Sequence, residues 1–218
     1  MKVERFVSEL STADAANIVA PSKIVCVGRN YADHAKELGN EVPAEPIIFL
    51  KPPSAVNSPG GTIVLPRQSQ RVEYEGELAV VISRKARNVI AADWRDYVHG
   101  FTCANDVTAR DLQKKDVQFT RGKSFDTFCP IGPWIETDLD PSSLRLVTRV
   151  NGEVRQDANT SQMLFRVPAI LEFISSIMTL FPGDVILTGT PAGVGPLASG
   201  DTVEVEISGI GTLRNVVA

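Results

Sequence analysis

Histidine and cysteine are scarce in this 218-residue chain, which has 2 His and 3 Cys. Cys26, Cys103 and Cys129 fall at no C-x-x-C spacing, which argues against a structural zinc site and for a reducing compartment. Strong charge of one sign is also missing. The net charge of -4 and the lack of a basic aromatic strip give no footprint for nucleic acid. Met1-Lys2-Val3-Glu4-Arg5 opens no apolar h-region of the kind a secretory signal carries. The longest apolar stretch, Val167 to Phe181, is interrupted by Glu172, Ser175 and Ser176, so it reads as an amphipathic helix and not a membrane span. No Gly-x-Ser-x-Gly element supplies a serine nucleophile. The Gly/Pro-rich loop Thr188 to Pro196 is followed by no Gly-Lys-Ser/Thr and no long helix, which excludes a Walker A or dinucleotide loop. That loop is left as a set of backbone donors to an anion or as a tight turn. The expectation is a cytoplasmic globular protein with no nucleic-acid or membrane partner.

A 43% hydrophobic content over this length suffices for one full core. Strands are predicted at Lys23–Val27, Ile47–Leu50, Thr62–Leu65, Glu77–Ser83, Tyr97–Ala104, Trp134–Glu136, Arg145–Val150, Val185–Thr188, Thr202–Ile207 and Thr212–Val217. Helices are predicted at Tyr31–Leu38, Ala109–Lys115 and Val167–Met178. Asn151-Gly152 is a strong hairpin turn signal. The balance is α+β, mainly β, without the regular βαβ alternation of a doubly wound sheet.

The densest chemistry lies in Val72-Glu73-Tyr74-Glu75-Gly76-Glu77-Leu78, running into Ala79-Val80-Val81-Ile82. Alternate strand residues share a face, so Glu73, Glu75 and Glu77 are expected on one side. Like charges beside a buried apolar run repel and are costly to desolvate, and a cation would relieve both penalties. An isolated E-x-E is otherwise a solvated edge face. Asp106 ends a second β-rich run, where the alternative is a helix N-cap. With Glu75 and Glu77 it makes a three-carboxylate set, all oxygen, suited to one Mg²⁺ or Mn²⁺ with open positions. Iron and zinc are weaker fits.

His34 and Glu37 stand three apart on a short helix closed by Gly39. The carboxylate can orient the imidazole and raise its basicity, although an isolated H-x-x-E is also a common surface pair. The segment between Gly28 and Gly39 has the composition of a lid. Arg110, Gln113 and Lys123, the last in the basic element Arg121 to Phe125, are solvated singly. Together they would clamp a carboxylate or oxyanion.

These motifs stand in a recognisable order. Ile24 to His34, Glu75-Gly76-Glu77-Leu78, Asn105 to Asp111, Lys123-Ser124-Phe125-Asp126 and Gly183 to Pro191 together resemble the fumarylacetoacetate hydrolase family. The resemblance runs from Ser22 to the C-terminus. It is nearest the short acylpyruvase and fumarylpyruvate hydrolase members and the 2-hydroxyhepta-2,4-diene-1,7-dioate isomerases. It implies a mixed β-roll of the family's C-terminal type with a few peripheral helices. It also implies a short N-terminal segment over residues 1–21, one catalytic domain over 22–218, and a homodimer. By position it makes Glu75, Glu77 and Asp106 the ligands of one Mg²⁺ or Mn²⁺. His34 and Glu37 become the water-activating dyad, with Lys123 catalytic beside the metal. Arg29, Tyr31, Arg110, Gln113 and Thr190 fall at substrate-contacting positions. It assigns Glu73 no role. The implied activity is metal-dependent hydrolysis of a C–C bond in an acylpyruvate or diketo acid such as fumarylpyruvate. Isomerisation of the heptadienedioate and decarboxylation of oxaloacetate through the same enolate are the alternatives. A non-catalytic metal-binding protein is the rival of another class.

Overall fold

The computed structural model describes residues 21–218 and the backbone of strand β1 (Val3–Arg5). Apart from that strand and Pro21, the N-terminal segment expected over residues 1–21 lies outside the described residues. The described residues fold as α+β, mainly β, around three curled sheets.

An eight-stranded mixed sheet forms the frame. Its spatial order is β1, β10 (Cys129–Glu136), β8 (Val98–Asn105), β7 (Gly76–Ile82), β13 (Val185–Leu187), β2 (Ile24–Gly28) and β3 (Ile47–Lys51). A short β4 (Val56–Asn57) pairs with β10 in parallel. The second sheet runs β12 (Glu153–Asn159), β11 (Arg145–Val150), β15 (Thr202–Ile207), β16 (Gly211–Val217) and β5 (Thr62–Ile63). The third is small: β14 (Gly195–Pro196), β6 (Val72–Tyr74) and β9 (Thr108–Ala109).

Strand β7 explains why the frame is so apolar. Every residue of Gly76–Ile82 is buried, because other structure covers both faces of the strand. Leu78, Val80 and Ile82 enter a core shared with Leu146, Val205 and Leu213 of the second sheet and with Ile170 and Ile174 of helix α4 (Val167–Ile177). Ala79 and Val81 point the other way, onto Cys26, Ile131 and Leu187. Burial of each such Val, Leu or Ile contributes roughly 1.5–3 kcal/mol. Helix α4 is the amphipathic segment expected from sequence, and Pro168 sits in its first turn, where no N–H partner is lost. Three shorter helices hold the polar residues: α1 (Ala32–Glu37), α2 (Arg110–Lys115) and α3 (Thr120–Lys123). No helix among the described residues is long and apolar enough to cross a membrane. The three cysteines are free and buried.

The strand expected to run unbroken through Glu73, Glu75 and Glu77 is two strands. The chain leaves the small sheet after Tyr74 and joins the large one at Gly76, with Glu75 at the junction. Around it, the Glu75 carbonyl accepts from the Asp106 N–H at 2.8 Å, and the Glu75 N–H donates to the Asn105 side-chain oxygen at 2.9 Å. Gly76 is required at the crossing. A Cβ there would lie 2.1 Å from the Thr148 hydroxyl oxygen of the second sheet.

Candidate active site

The junction delivers two carboxylates into the interior, and the β7–β8 pairing delivers the third. Glu77 lies opposite Ala104 and Gly76 opposite Asn105, so Asp106 leaves β8 beside Glu75. Glu75, Glu77 and Asp106 are 5%, 2% and 0% exposed, which excludes a solvated edge face. One oxygen from each lies within 4.8 Å of the other two. Asp106 is not a helix N-cap: the residue flanking α2 is Ala109, and the aspartate's oxygens are taken by lysines.

Three buried cations face this set. Lys123 Nζ donates to Glu75 at 2.8 Å and to Asp106 at 2.6 Å, and it lies 4.9 Å from the centre of the Phe49 ring. Lys51 Nζ donates to the other Asp106 oxygen at 2.6 Å and to the Val107 carbonyl at 3.1 Å. Arg110 Nη2 donates to Glu75, and its Nη1 donates to Gln113 at 2.6 Å. Burial alone would raise the Glu75 carboxyl, but Lys123 and Arg110 outweigh it and hold it well below the usual carboxylate range. Burial would likewise strip Lys123 of its proton, yet Asp106 and Glu75 keep the ammonium charged above its ordinary range.

Glu77 differs. Among the described residues its hydrogen-bond donor is the Gly189 N–H at 2.6 Å, and no cation stands within bonding distance. Burial, then the charges of Asp106 and Glu75, push its carboxyl well up. A divalent cation removes that penalty by adding positive charge where the lysines and arginine leave a shortage. The donor set is all oxygen, as Mg²⁺ and Mn²⁺ prefer. The residues therefore fit a divalent cation, which Glu75, Glu77 and Asp106 would hold. Gly189 can approach Glu77 because its φ of 99° suits glycine and a Cβ would meet Asn30 at 2.7 Å.

A cavity of about 270 Å³ opens on these carboxylates. Arg29, His34, Arg110, Gln113, Lys123 and Thr190 share its lining with them. His34 Nδ1 lies 3.2 Å from Glu37 Oε2, and Glu37 Oε1 accepts the Gly193 N–H at 3.0 Å. The imidazole thus has an orienting carboxylate that is itself anchored to the Gly/Pro-rich loop. Thr190 spends its hydroxyl inside the protein, donating to the Gly76 carbonyl at 2.9 Å and accepting from Gln156 at 2.8 Å. Tyr31 is placed differently from the substrate contact expected of it. It is not part of the cavity lining but packs in the main core with Leu78 and Met163. Its hydroxyl is buried with no hydrogen-bond partner among the described residues, and burial, then Glu77, raise its pKa.

Two buried charges of this cluster were not read from the sequence as site residues. Lys51 ends the apolar run Ile47-Ile48-Phe49-Leu50, and a lysine completing such a strand was the available signal. Glu73 is 2% exposed and pairs with Arg110 Nε at 2.6 Å.

Fold and site together are of the class that sets an all-oxygen cation site beside a histidine–glutamate pair on a mixed β-roll. Residues 23–218 match the fumarylacetoacetate (FAA) hydrolase C-terminal family, and the chain belongs to the fumarylacetoacetate hydrolase family of enzymes. It is 48% identical over 214 residues to the mitochondrial oxaloacetate tautomerase FAHD2A of Homo sapiens, covering 93% of this chain and 68% of that one. The crystal structure of 5-carboxymethyl-2-hydroxymuconate delta-isomerase from Mycobacterium smegmatis superposes with a TM-score of 0.87 at 52% identity, covering 92% and 80% of the two chains. Fumarylpyruvate hydrolase from Pseudomonas aeruginosa, in complex with Mn²⁺ and pyruvate, gives a TM-score of 0.86 at 32% identity, covering 90% and 89%.

Proposed function

We propose that this protein is a divalent-metal-dependent hydrolase that cleaves a C–C bond in a small acylpyruvate or diketo acid. The observation that carries the reading is His34, held by Glu37 from behind, lining the same cavity as the carboxylate triad. Glu75, Glu77 and Asp106 would hold one Mg²⁺ or Mn²⁺ per chain. When bound, the cation supplies Lewis-acid polarisation of the substrate carbonyl.

The chain's own residues supply the rest. Glu37 fixes the imidazole, and His34 takes a proton from water as its oxygen adds to the distal carbonyl. Collapse of that adduct breaks the C–C bond. The electron pair passes to the pyruvate carbon, which the proton held on His34 then neutralises. Arg110 and Gln113 bind the substrate carboxylate. Lys123 has three donors and spends two on Glu75 and Asp106, so one remains for substrate oxygen. Arg29 and Thr190 shape the wall.

A second reading, tautomerisation or isomerisation of a 2-oxo acid, is supported by the 48% and 52% identity to the named tautomerase and isomerase. It uses the same base without water. Incubating the protein with an acylpyruvate, oxaloacetate and the heptadienedioate, each with Mg²⁺ or Mn²⁺, and following products by NMR separates the two. Pyruvate and a second acid from the acylpyruvate support hydrolysis; enol–keto or double-bond exchange alone replaces it with isomerisation. The functional unit in this reading is a homodimer. Light scattering should give twice the 23.6 kDa chain mass, and a monomer refutes it.

A further inference from the structure

Glu73 is a buried charge that the mechanism does not use. It stands in β6 opposite Thr108, outside the cavity lining. Its two oxygens are divided between two arginines: Oε1 accepts from Arg71 Nε and Oε2 from Arg110 Nε, each at 2.6 Å. Arg110 is divided in turn. Its Nε serves Glu73, its Nη2 serves Glu75, and its Nη1 serves Gln113.

The Nε–Nη2 edge of a guanidinium is the two-pronged face that ordinarily grips one carboxylate with two parallel bonds. Here that edge is split between two glutamates. Without Glu73, both prongs would be free to close on Glu75, which already accepts from Lys123 and, at 3.1 Å, from the Thr108 hydroxyl. A glutamate gripped in that way is a poorer donor to a cation. Rotation of the guanidinium toward Glu75 would also carry Nη1 away from Gln113 and the cavity.

We propose that Glu73 is a positioning residue which, by holding Arg110 Nε, keeps Glu75 open to the divalent cation and the Nη1 end of Arg110 turned to the substrate. This rests on the reading of Glu75 as a ligand. Residues that orient metal ligands typically change metal affinity about 10–100-fold when removed. Mn²⁺ titration by calorimetry on the full chain, with no substrate, is the test. Glu73→Met, of similar volume but with no acceptor for Arg110 Nε, should lose about tenfold or more in Mn²⁺ affinity. Adding Arg110→Met should restore most of that loss, because no guanidinium is left to close on Glu75. A structural role for Glu73 would give no such recovery. Wild-type affinity in Glu73→Met, or an equal loss with Arg110→Met present, overturns the proposal.

If Glu73→Met does not fold, Arg71→Gln replaces it. Arg71 is on the solvent side, its side chain 58% exposed, and its loss leaves Glu73 wholly to Arg110. Mn²⁺ affinity should then stay within about threefold of wild type, and a tenfold fall counts against the proposal. Should wild type itself bind no Mn²⁺, the ligand assignment fails first, and the two failures are distinct.

Discussion

Two buried carboxylate sites stand at opposite ends of strand β13, and they are built on different principles. Asp184, just before the strand, is wholly buried and fully satisfied. One oxygen accepts the Ser22 N–H at 2.9 Å, the Ser22 hydroxyl at 2.7 Å and the Lys23 N–H at 3.1 Å. The other accepts the Phe181 N–H at 2.8 Å and the Lys23 ammonium. Beyond the far end of the strand, Gly189 meets Glu77, which shares its pocket with two other carboxylates and has no cation of its own among the described residues. A satisfied carboxylate pins one chain segment to another. A crowded and undersupplied one is a cost that folding alone does not justify, and it marks a site completed by something outside the chain.

The sharpest way to break this contrast is to remove the crowded charges. Glu75→Ala/Glu77→Ala should abolish Mn²⁺ binding and turnover, since two of three ligands are gone. Calorimetry reads the binding directly, and wild-type affinity would sink the ligand assignment. Glu77→Gln adds the stability half of the comparison. It retains an acceptor for the Gly189 N–H while deleting an uncompensated buried charge. In metal-free buffer its melting temperature should equal or exceed that of wild type.

A smaller effect distinguishes the dyad from the ligands. His34→Ala should cost about 10²–10⁴-fold in C–C hydrolysis, the usual worth of a general base. Mn²⁺ affinity should persist, because His34 is not a proposed ligand. Decarboxylation of oxaloacetate consumes no activated water and should fall much less. The measurement is the ratio of the two activities in one preparation. Equal losses would assign His34 to positioning or to closure of α1 over the cavity.

What could be read in advance follows the same division. The sequence predicts strands Arg145–Val150 and Thr202–Ile207 at their observed bounds. The second alternates strictly with one face in the core, whereas the first, with Leu146, Val147 and Thr148 all buried, is bounded by the Asn151-Gly152 turn. The return strand Glu153–Asn159 is not predicted, although Asn151-Gly152 announces a hairpin. Gln156 is the one residue in it that is fully buried, so no apolar period betrays it. Gln156 is nonetheless tied to the site, accepting the Gly76 N–H at 3.0 Å. The carboxylate trio was legible because carboxylates entering apolar strands are rare. Glu73 was placed on one face with Glu75 and Glu77, and the break at Glu75 separates them. Side chains near in sequence diverge at such a junction, and no local pattern records it. The basic stretch Arg121 to Phe125 begins within helix α3, which presents Lys123 to Glu75 and Asp106 from a distance in sequence that spacing rules do not reach.

The last test returns to Asp184 and asks whether the satisfied site behaves as a structural one. Asp184→Asn keeps an acceptor for Ser22 but turns an amide donor toward the Phe181 N–H and the Lys23 ammonium, leaving donors facing donors. A buried polar group left unsatisfied in this way costs about 1–3 kcal/mol, more where a charge is involved. For a chain of this size, that lowers the melting temperature by roughly 2–4 °C per kcal/mol. The pH dependence has a definite sign. Burial would raise the Asp184 carboxyl, but Lys23, the Phe181 N–H and Ser22 outweigh it and hold it below the usual range. A carboxyl lowered on folding adds stability that is fully present above its unfolded pKa of about 3.9. That stability is lost as pH falls through the folded value. The gap between wild type and Asp184→Asn should therefore be widest near neutrality and shrink below about pH 4. Thermal unfolding of both proteins in metal-free buffer across that range checks it. Subtracting the two curves removes carboxylates that titrate alike in both proteins. A gap that stays constant down to pH 2 would mean the aspartate acts through shape and neutral hydrogen bonds, and its charge would then contribute nothing to the join between β2 and β13.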